Sequence, residues 1–123
     1  MKTIFVVDDS PTARASIQYT LDKGGYKVEL AEDGVIALEK INAYGGTIDV
    51  FLFDVNMPNM DGITLIKKVR EISQFKFTPI LFLTTESQES KKMEGKNAGA
   101  SGWIVKPFDP DQLVGLMKRF TGE

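Results

Sequence analysis

Short apolar runs alternate five times along the chain with longer stretches in which apolar residues recur at helical spacing. The third run is nearly all apolar, as expected for a central strand that is buried on both faces. Strands that alternate with helical segments are typical of an α/β protein with a parallel sheet. We therefore predict parallel strands at residues 3–7, 27–31, 49–53, 79–83 and 102–105.

Four of the stretches between and after these runs carry an apolar stripe on one helical face. The first helix is predicted to begin at Ser10-Pro11, an N-cap followed by proline, and to end at Gly24-Gly25. The last helix is predicted to begin at Asp109-Pro110. The four stripes consist of Ala13, Ile17 and Leu21; Ala37, Leu38 and Ile41; Leu65, Ile66, Val69 and Ile72; and Leu113, Leu116, Met117 and Phe120.

The remaining helical stretch, residues 87–98, has few apolar positions. Only Met93 and Ala98 could anchor it, and Gly95 in its interior costs roughly 1 kcal/mol relative to alanine. A helix that buries little and breaks easily is a candidate for a moving part. A merely solvated helix is the alternative explanation of the same segment.

Polar side chains mark the points where four of the predicted strands end. Asp8 and Asp9 follow the first strand, Asp54 follows the third, Thr84 the fourth and Lys106 the fifth. The carboxyl ends of parallel strands meet at one edge of the sheet, where ligands of open α/β sheets bind. We therefore expect these side chains to form one cluster.

Composition narrows the chemistry that this cluster could perform. The 123 residues include no cysteine and no histidine, which excludes disulfides, thiolate chemistry and imidazole catalysis. They form one predicted domain over 1–123, with 42% apolar and 26% charged residues and a net charge of -2. No basic stripe indicates nucleic-acid binding, no apolar run is long enough to cross a membrane, and the amino-terminal residues do not resemble a signal peptide. We expect a cytoplasmic protein.

Clustered carboxylates repel one another unless a cation neutralises them. An all-oxygen site without histidine or cysteine suits Mg²⁺, or Mn²⁺. Asp54 would then be placed to attack phosphorus and form an aspartyl phosphate, while Lys106 neutralises the transferring group and Thr84 donates a hydrogen bond to it. Taken singly, each residue has an ordinary structural explanation, as a turn, cap, solvated or strand residue. Their joint position at four strand ends has no such explanation.

The chain resembles the receiver domain of two-component response regulators, in particular the single-domain, CheY-like type found in chemotaxis. The resemblance implies a flavodoxin-like (βα)₅ sandwich with strand order 2-1-3-4-5. It covers essentially the whole chain, in the order and spacing of the family. The matching stretches are residues 6–10, 53–62, 83–84 and 103–108.

The resemblance implies a role for each residue of the cluster. Asp54 is the phosphoacceptor, and Asp9, Asp54 and the backbone carbonyl of Asn56 bind Mg²⁺, with Asp8 acting through water. Lys106 pairs with the phosphoryl group or with Asp54, and its peptide bond to Pro107 is cis. After phosphorylation, Thr84 moves toward the phosphoryl group and the aromatic residue at Trp103 follows.

The resemblance also implies which residues tune hydrolysis of the phosphoryl group. Asn56 and Glu86 occupy the two positions, two residues beyond the acceptor and the threonine, that set its rate. Trp103 departs from the usual tyrosine or phenylalanine and is larger. Thr85 departs from the usual small residue and lies beside the expected path of phosphate entry.

Three other functions are possible for such a sequence. Residues 51–56 resemble the signature of haloacid-dehalogenase-type phosphohydrolases, but Asn56 replaces the required second acid, the acceptor follows strand three, and there is no cap domain. A receiver reduced to a binding module is disfavoured by the intact cluster. A nucleotide-binding Rossmann domain is disfavoured because no glycine-rich turn follows strand one.

The predicted function is that of a phosphorylation-controlled switch rather than an enzyme that turns over free substrates. Without histidine, the phosphoryl donor must lie outside the chain, and a sensor histidine kinase is expected. The signal is expected to leave through the 87–98 helix, the strand of Trp103 and the last helix, where Lys91, Lys92 and Lys96 could meet an acidic partner. The target suggested by the resemblance is the flagellar motor switch. We expect a monomer.

Overall fold

A computed structural model describes residues 1–85 and 89–122 of the chain. Within these residues, five parallel strands form one sheet in the order β2-β1-β3-β4-β5. The predicted flavodoxin-like arrangement is therefore confirmed. The strands are β1 (Thr3–Val7), β2 (Lys27–Ala31), β3 (Val50–Asp54), β4 (Ile80–Thr85) and β5 (Gly102–Lys106).

Helices connect the strands and cover both faces of the sheet. Side-chain oxygens of Ser10, Asp33, Asp61 and Asp109 cap four of the helices by accepting a backbone N–H from the first turn. A short 3₁₀ helix, η1 (Ser73–Phe75), follows the third helix. The helices are α1 (Pro11–Lys23), α2 (Gly34–Ala43), α3 (Gly62–Arg70), α4 (Glu89–Ala98) and α5 (Pro110–Thr121).

The sheet separates two hydrophobic cores because successive side chains of a strand point to opposite faces. On one side, α1 and α5 pack Ile17, Leu21, Leu113 and Met117 against alternate strand residues such as Leu52. On the other side, α2 and α3 pack around three touching phenylalanines. These are Phe51, Phe53 and Phe75. Burial of both faces explains why the central strands are almost uniformly apolar.

Several predicted boundaries differ from the structure by a few residues. Strands β4 and β5 each continue through the polar residue that was expected to follow them, so Thr84 and Lys106 belong to the strands. The third helix ends at Arg70, and Ile72 lies outside it, half-buried beside the hydrophobic core. The 3₁₀ helix that follows places Phe75, rather than a further turn of α3, in the core.

One of the two apolar anchors predicted for the fourth helix is wrong, and the other is confirmed in part. Met93 is 61% exposed, and Ala98 is only partly buried against the core. The buried residue of α4 is Gly95, which lies against the sheet. The sequence indicated correctly that this helix buries little and that Ala98 faces the core, but it did not indicate that Gly95, and not Met93, is the buried residue.

The helices in the described part of the chain are too short or too polar to cross a membrane. This holds for residues 1–85 and 89–122.

Candidate functional site

Three aspartates meet at the carboxyl edge of the sheet, as the sequence predicted. One carboxylate oxygen from each of Asp8, Asp9 and Asp54 lies within 4.8 Å of the other two. Asp8 is fully buried and Asp54 is 8% exposed, whereas Asp9 is open to solvent. Parallel pairing of β3 with β1 brings the ends of these strands together, so their polar residues converge.

Asp8 is held by hydrogen bonds at every polar atom. Its N–H donates to Ala31 O at 3.2 Å, and its carboxylate accepts from Ser10 N at 2.9 Å and from Lys106 Nζ at 2.9 Å. The guanidinium of Arg14 donates to its carbonyl oxygen at 2.6 Å. The buried carboxylate is therefore fixed in orientation, because no atom is left to exchange partners.

Lys106 is the cation of the site. Its Nζ lies 2.9 Å from Asp8 Oδ2 and 3.6 Å from Asp54 Oδ2, so it bridges the two buried carboxylates. Burial lowers the pKa of Lys106, but the hydrogen bond to Asp8 and the charges of Asp54 and Asp8 outweigh burial and raise it above the ordinary value. The peptide bond between Lys106 and Pro107 is cis.

The environment of Asp54 disfavours its charged form. Burial is the largest cause, and the neighbouring charges of Asp8 and Asp9 add to it. Lys106 and the backbone N–H of Asn56 act in the opposite direction. The balance raises the pKa of Asp54 to about 7. A cation that neutralised the three carboxylates would therefore favour ionised Asp54.

The loop after Asp54 is shaped by residues near its two ends. Gly62 begins α3 and donates its N–H to Val55 O at 3.0 Å, and a Cβ on this glycine would overlap the Asp54 carbonyl oxygen. Within the loop, Asn59 adopts a left-handed conformation with φ of 70°. The loop leaves Asn56 exposed, directly beyond the acceptor strand.

Thr84 carries an unsatisfied hydroxyl at the same edge. The residue is 1% exposed, and its Oγ1 lacks a hydrogen-bond partner among the described residues. A buried hydroxyl without a partner costs about 1–3 kcal/mol, so this group is available to a ligand oxygen. Thr85 follows it, exposed, beside Lys106 and Pro107 in the wall of a shallow cavity.

Trp103 lies away from the carboxylates. It is 41% exposed on β5, opposite Phe82 of β4 at a ring-centroid distance of 6.1 Å. Lys92 of α4 stands over its indole at 5.4 Å. The remaining predicted site residue, Glu86, lies outside the described residues.

Sequence reasoning missed two residues that shape the site. In the sequence, Arg14 resembles any solvated cation on a helix. In the structure, its guanidinium donates a hydrogen bond to the Asp8 carbonyl oxygen. Gly62 resembles an ordinary loop glycine in the sequence, whereas its lack of a side chain makes room for the acceptor strand. Its sequence signals were its place in the matching stretch 53–62 and its position at a helix start after a capping aspartate.

The model of the response regulator receiver domain family matches residues 4–118. The chain belongs to this family. Receiver domains are signalling modules of two-component systems rather than classical enzymes, and they imply a histidine kinase as phosphodonor and a downstream target. Receiver domains bind Mg²⁺ in an acidic cleft, and this chain has an acidic cluster of Asp8, Asp9 and Asp54.

Two chemotaxis proteins are similar to this chain over most of its length. Chemotaxis protein CheY1 of Helicobacter pylori is 46% identical over 111 residues, which is 89% of both chains. The crystal structure of chemotaxis protein CheY4 of Vibrio cholerae is 48% identical, with a TM-score of 0.91 and 98% of both chains covered.

A third similar protein carries a metal ion. It is the receiver domain of sensor histidine kinase PA1611 from Pseudomonas aeruginosa, 26% identical with a TM-score of 0.87 over 99% of this chain and 98% of that one. Its structure contains a magnesium ion coordinated in the active-site cleft.

Proposed function

We propose that residues 1–123 form one receiver domain that works as a phosphorylation-controlled switch. Asp54 accepts a phosphoryl group from a phosphohistidine of a partner kinase, with Mg²⁺, and a protein-binding surface changes in response. The observation that carries this proposal is the combination of three clustered carboxylates, a bridging lysine and a buried unpaired hydroxyl at one sheet edge. If the cluster were only a structural ion pair, the buried hydroxyl of Thr84, which has no partner among the described residues, would be left unexplained.

The donor set of the site fits Mg²⁺. Both carboxylate oxygens of Asp8 are occupied by Ser10 N and Lys106 Nζ, which supports a water-mediated role for this residue. Among the described residues, no hydrogen bond occupies the carboxylate of Asp9, which would bind the ion directly with Asp54 and the Asn56 carbonyl. Mn²⁺ suits the same oxygen donors. When bound, the ion supplies positive charge that offsets the charge of the carboxylates and of the phosphoryl oxygens.

Asp54 performs the covalent step. A carboxylate oxygen of ionised Asp54 attacks phosphorus, the phosphorus–nitrogen bond to the donor histidine breaks, and its electron pair returns to the imidazole. Lys106, already 3.6 Å from Asp54, pairs with a phosphoryl oxygen of the product. Hydrolysis by water then regenerates the carboxylate and releases inorganic phosphate. The chain carries out both steps of this cycle on its own Asp54 and does not turn over ordinary phosphate esters.

Thr84 couples the covalent step to the fold. Its hydroxyl has no hydrogen-bond partner among the described residues, and a phosphoryl oxygen would supply one, so the phosphorylated state favours a movement of β4 toward Asp54. Trp103 follows into the space that this movement leaves. The change in Trp103 therefore reports a distant event at Asp54.

Two exposed residues are proposed to set the lifetime of the phosphorylated state. Asn56 stands directly beyond the acceptor strand, and Thr85 lies in the cavity wall beside Lys106. Glu86, the third proposed residue, acts with them on the access of water. Substitution of these positions is expected to change the rate of phosphate release without changing the acceptor.

The proposed output surface consists of α4, β5 and α5. Lys91, Lys92 and Lys96 lie on α4, and Lys92 contacts the half-exposed Trp103. Positive charge beside an exposed aromatic suits an acidic partner segment. The similarity to CheY1 and CheY4 supports a flagellar motor switch protein as the target.

The test uses the chain with Mg²⁺ and either acetyl phosphate or beryllofluoride. With acetyl phosphate, wild type is expected to gain one phosphoryl group that hydroxylamine removes, by intact-mass spectrometry, and with either reagent it is expected to change its Trp103 emission. Asp54→Ala should show neither effect, whereas Asp22→Ala, a surface aspartate at the end of α1, should behave as wild type.

The alternatives predict different outcomes of the same test. A binding module without chemistry gives no phosphoryl adduct on wild type, which would refute the proposed function. A phosphohydrolase gives sustained turnover of simple phosphate esters, which a receiver should not show.

A further inference from the structure

Helix α4 rests on the sheet at a position that only glycine can occupy. A Cβ on Gly95 would lie 2.5 Å from Cε1 and 2.6 Å from Cζ of Phe82. Carbon atoms in van der Waals contact are about 3.5–4.0 Å apart, so a side chain at this position would overlap the ring. Gly95 is the buried residue of a helix whose other described side chains are exposed or half-buried. We call this contact of Gly95 with Phe82 the glycine seat.

The Phe82 ring has little freedom to move away from α4. Phe82 is fully buried in β4, between β3 and β5 in the sheet, and packs within the core that contains Phe53. Trp103 lies beside it at a centroid distance of 6.1 Å. Because interiors are close-packed, a larger residue at position 95 would displace the helix more readily than the ring.

The same seat determines how α4 meets Trp103. Lys92 lies one helical turn before Gly95, on the same face of α4, and stands 5.4 Å above the indole. Phe82 and Trp103 are directly paired neighbours on β4 and β5. Phe82 thus contacts α4 at Gly95, and its neighbour Trp103 contacts α4 one turn earlier, at Lys92. A shift of α4 at Gly95 therefore also moves Lys92 relative to Trp103.

The seat is linked to the site through β4. Phe82 and Thr84 are two residues apart in this strand, so their side chains share one face of the sheet. Trp103 is paired with Phe82 on that face. A movement of β4 at Thr84 is therefore passed to the ring on which α4 rests.

We propose that Gly95 is a positioning residue of the output surface: by seating α4 on Phe82, it couples the place of this helix and the packing of Trp103 to strand β4. The existence of the seat follows from the contacts alone. Its control of a signalling surface rests on the function proposed above.

The first experiment compares two helical glycines by thermal unfolding without Mg²⁺. Gly115 of α5 is exposed, and a Cβ added to it would meet nothing within 4 Å, so Gly115→Ala should raise the melting temperature by about 3 °C through helix propensity. Gly95→Ala gains the same propensity but should lower the melting temperature. An equal rise in both variants would overturn the proposal.

A second substitution tests the contact itself. Phe82→Leu should lower the melting temperature of the otherwise unchanged protein, because it removes buried ring atoms. In the Gly95→Ala background, the same change removes the overlap and should raise the melting temperature. If Phe82→Leu has the same effect in both backgrounds, the two residues are not coupled and the seat does not exist.

The third experiment asks whether the seat transmits the signal. In Gly95→Ala, Trp103 emission should differ from wild type before ligand is added, and its response to Mg²⁺ with beryllofluoride should fall to less than about half. Affinity for Mg²⁺, measured by calorimetry, should stay within about twofold because no residue of the acidic cluster contacts Gly95. A response of Gly95→Ala equal to wild type would overturn the coupling. A wild type that does not respond would instead refute the proposed function.

Discussion

Asp54 stands where its negative charge is poorly solvated and faces two other carboxylates. Burial and the charges of Asp8 and Asp9 disfavour ionisation more than Lys106 and the Asn56 N–H favour it, so its pKa is about 7 instead of 3.8. An acid that ionises near neutral pH is nucleophilic only part of the time. Positive charge that enters the site therefore increases the ionised fraction of Asp54, the form that the proposed phosphoryl transfer requires.

Because its pKa is raised, Asp54 lowers the free energy of unfolding above neutral pH. The folded state binds this proton more tightly than the unfolded state does, so the stability contributed at this position falls as pH rises from about 4 to about 7 and stays low above that. Asp54→Asn should therefore raise the free energy of unfolding by about 2 kcal/mol at pH 8 without Mg²⁺. The gain should shrink at pH 5, measured by urea unfolding.

The matched control for this substitution is Asp22→Asn, on the exposed surface of α1. It should change the free energy of unfolding by less than about 0.5 kcal/mol at both pH values. A gain for Asp54→Asn that did not depend on pH would contradict the assigned titration.

Lys106 compensates the buried charge of Asp8. Lys106→Met removes the hydrogen bond of 2.9 Å and leaves a fully buried carboxylate without its cation, so it should cost about 3 kcal/mol of unfolding free energy. Lys2→Met, which removes a solvent-exposed pair with Asp49 at 3.9 Å, should cost less than about 1 kcal/mol. Chemical unfolding at pH 7 without metal measures both, and similar losses would contradict the distinct role of Lys106.

Among the elements, the end of α3 is tied to two connections by a single side chain. The guanidinium of Arg70 donates twice to Gly99 O, at 3.0 and 2.8 Å, and once each to Phe75 O and Thr78 O, at 2.8 and 2.6 Å. Burial lowers the pKa of this guanidinium below its ordinary value. The side chain thus donates to three carbonyl groups: Phe75 O at the end of η1, Thr78 O before β4, and Gly99 O after α4.

Arg70→Met should therefore loosen several connections at once. It removes the Arg70 donor from Gly99 O and Thr78 O and leaves Phe75 O with only the Thr78 N–H at 3.4 Å, so we expect a loss of about 3 kcal/mol in unfolding free energy. Faster hydrogen exchange should appear at the Ala100 and Ser101 amides, which follow Gly99. Lys67→Met, an exposed cation of the same helix, should change neither quantity.

The elements themselves could largely be predicted from the sequence. Apolar runs of strand length and apolar stripes of helical period mark the faces that will be buried, and burial of those faces determines the fold. Strand order needed the family resemblance. The strand-end cluster of Asp8, Asp54 and Lys106 could be predicted because parallel strands end at one edge.

What the sequence could not provide were contacts between elements. In the sequence, Gly95 is only a weak point of its own helix, whereas its role depends on a ring that lies in another strand. Met93 is expected inside because it is apolar, yet the close approach at Gly95 turns it toward solvent. Arg14 and Arg70 resemble solvated cations because their partners are carbonyl oxygens, which carry no sequence signal.

For the molecule as a whole, three of the 17 acidic residues meet at one edge of the sheet, while the net charge is only -2. Mg²⁺ that binds the folded chain alone stabilises it by mass action, by about 2.7 kcal/mol at a concentration one hundred times Kd. We expect a rise in melting temperature with Mg²⁺ in wild type and its loss in Asp9→Asn. Asp22→Asn should keep the full rise in melting temperature. If Asp9→Asn also keeps it, Asp9 is not a ligand of the metal ion.

The pair of Lys106 with Asp8 joins residues 98 positions apart in the chain. During synthesis, the first strand leaves the ribosome before the fifth, so Asp8, Asp9 and Asp54 are all made before Lys106. A chain truncated before Lys106 keeps all three aspartates but lacks the lysine. Under the proposed function, such a chain would lack the cation that pairs with the phosphoryl group, so phosphorylation at Asp54 would require a chain that extends through Lys106.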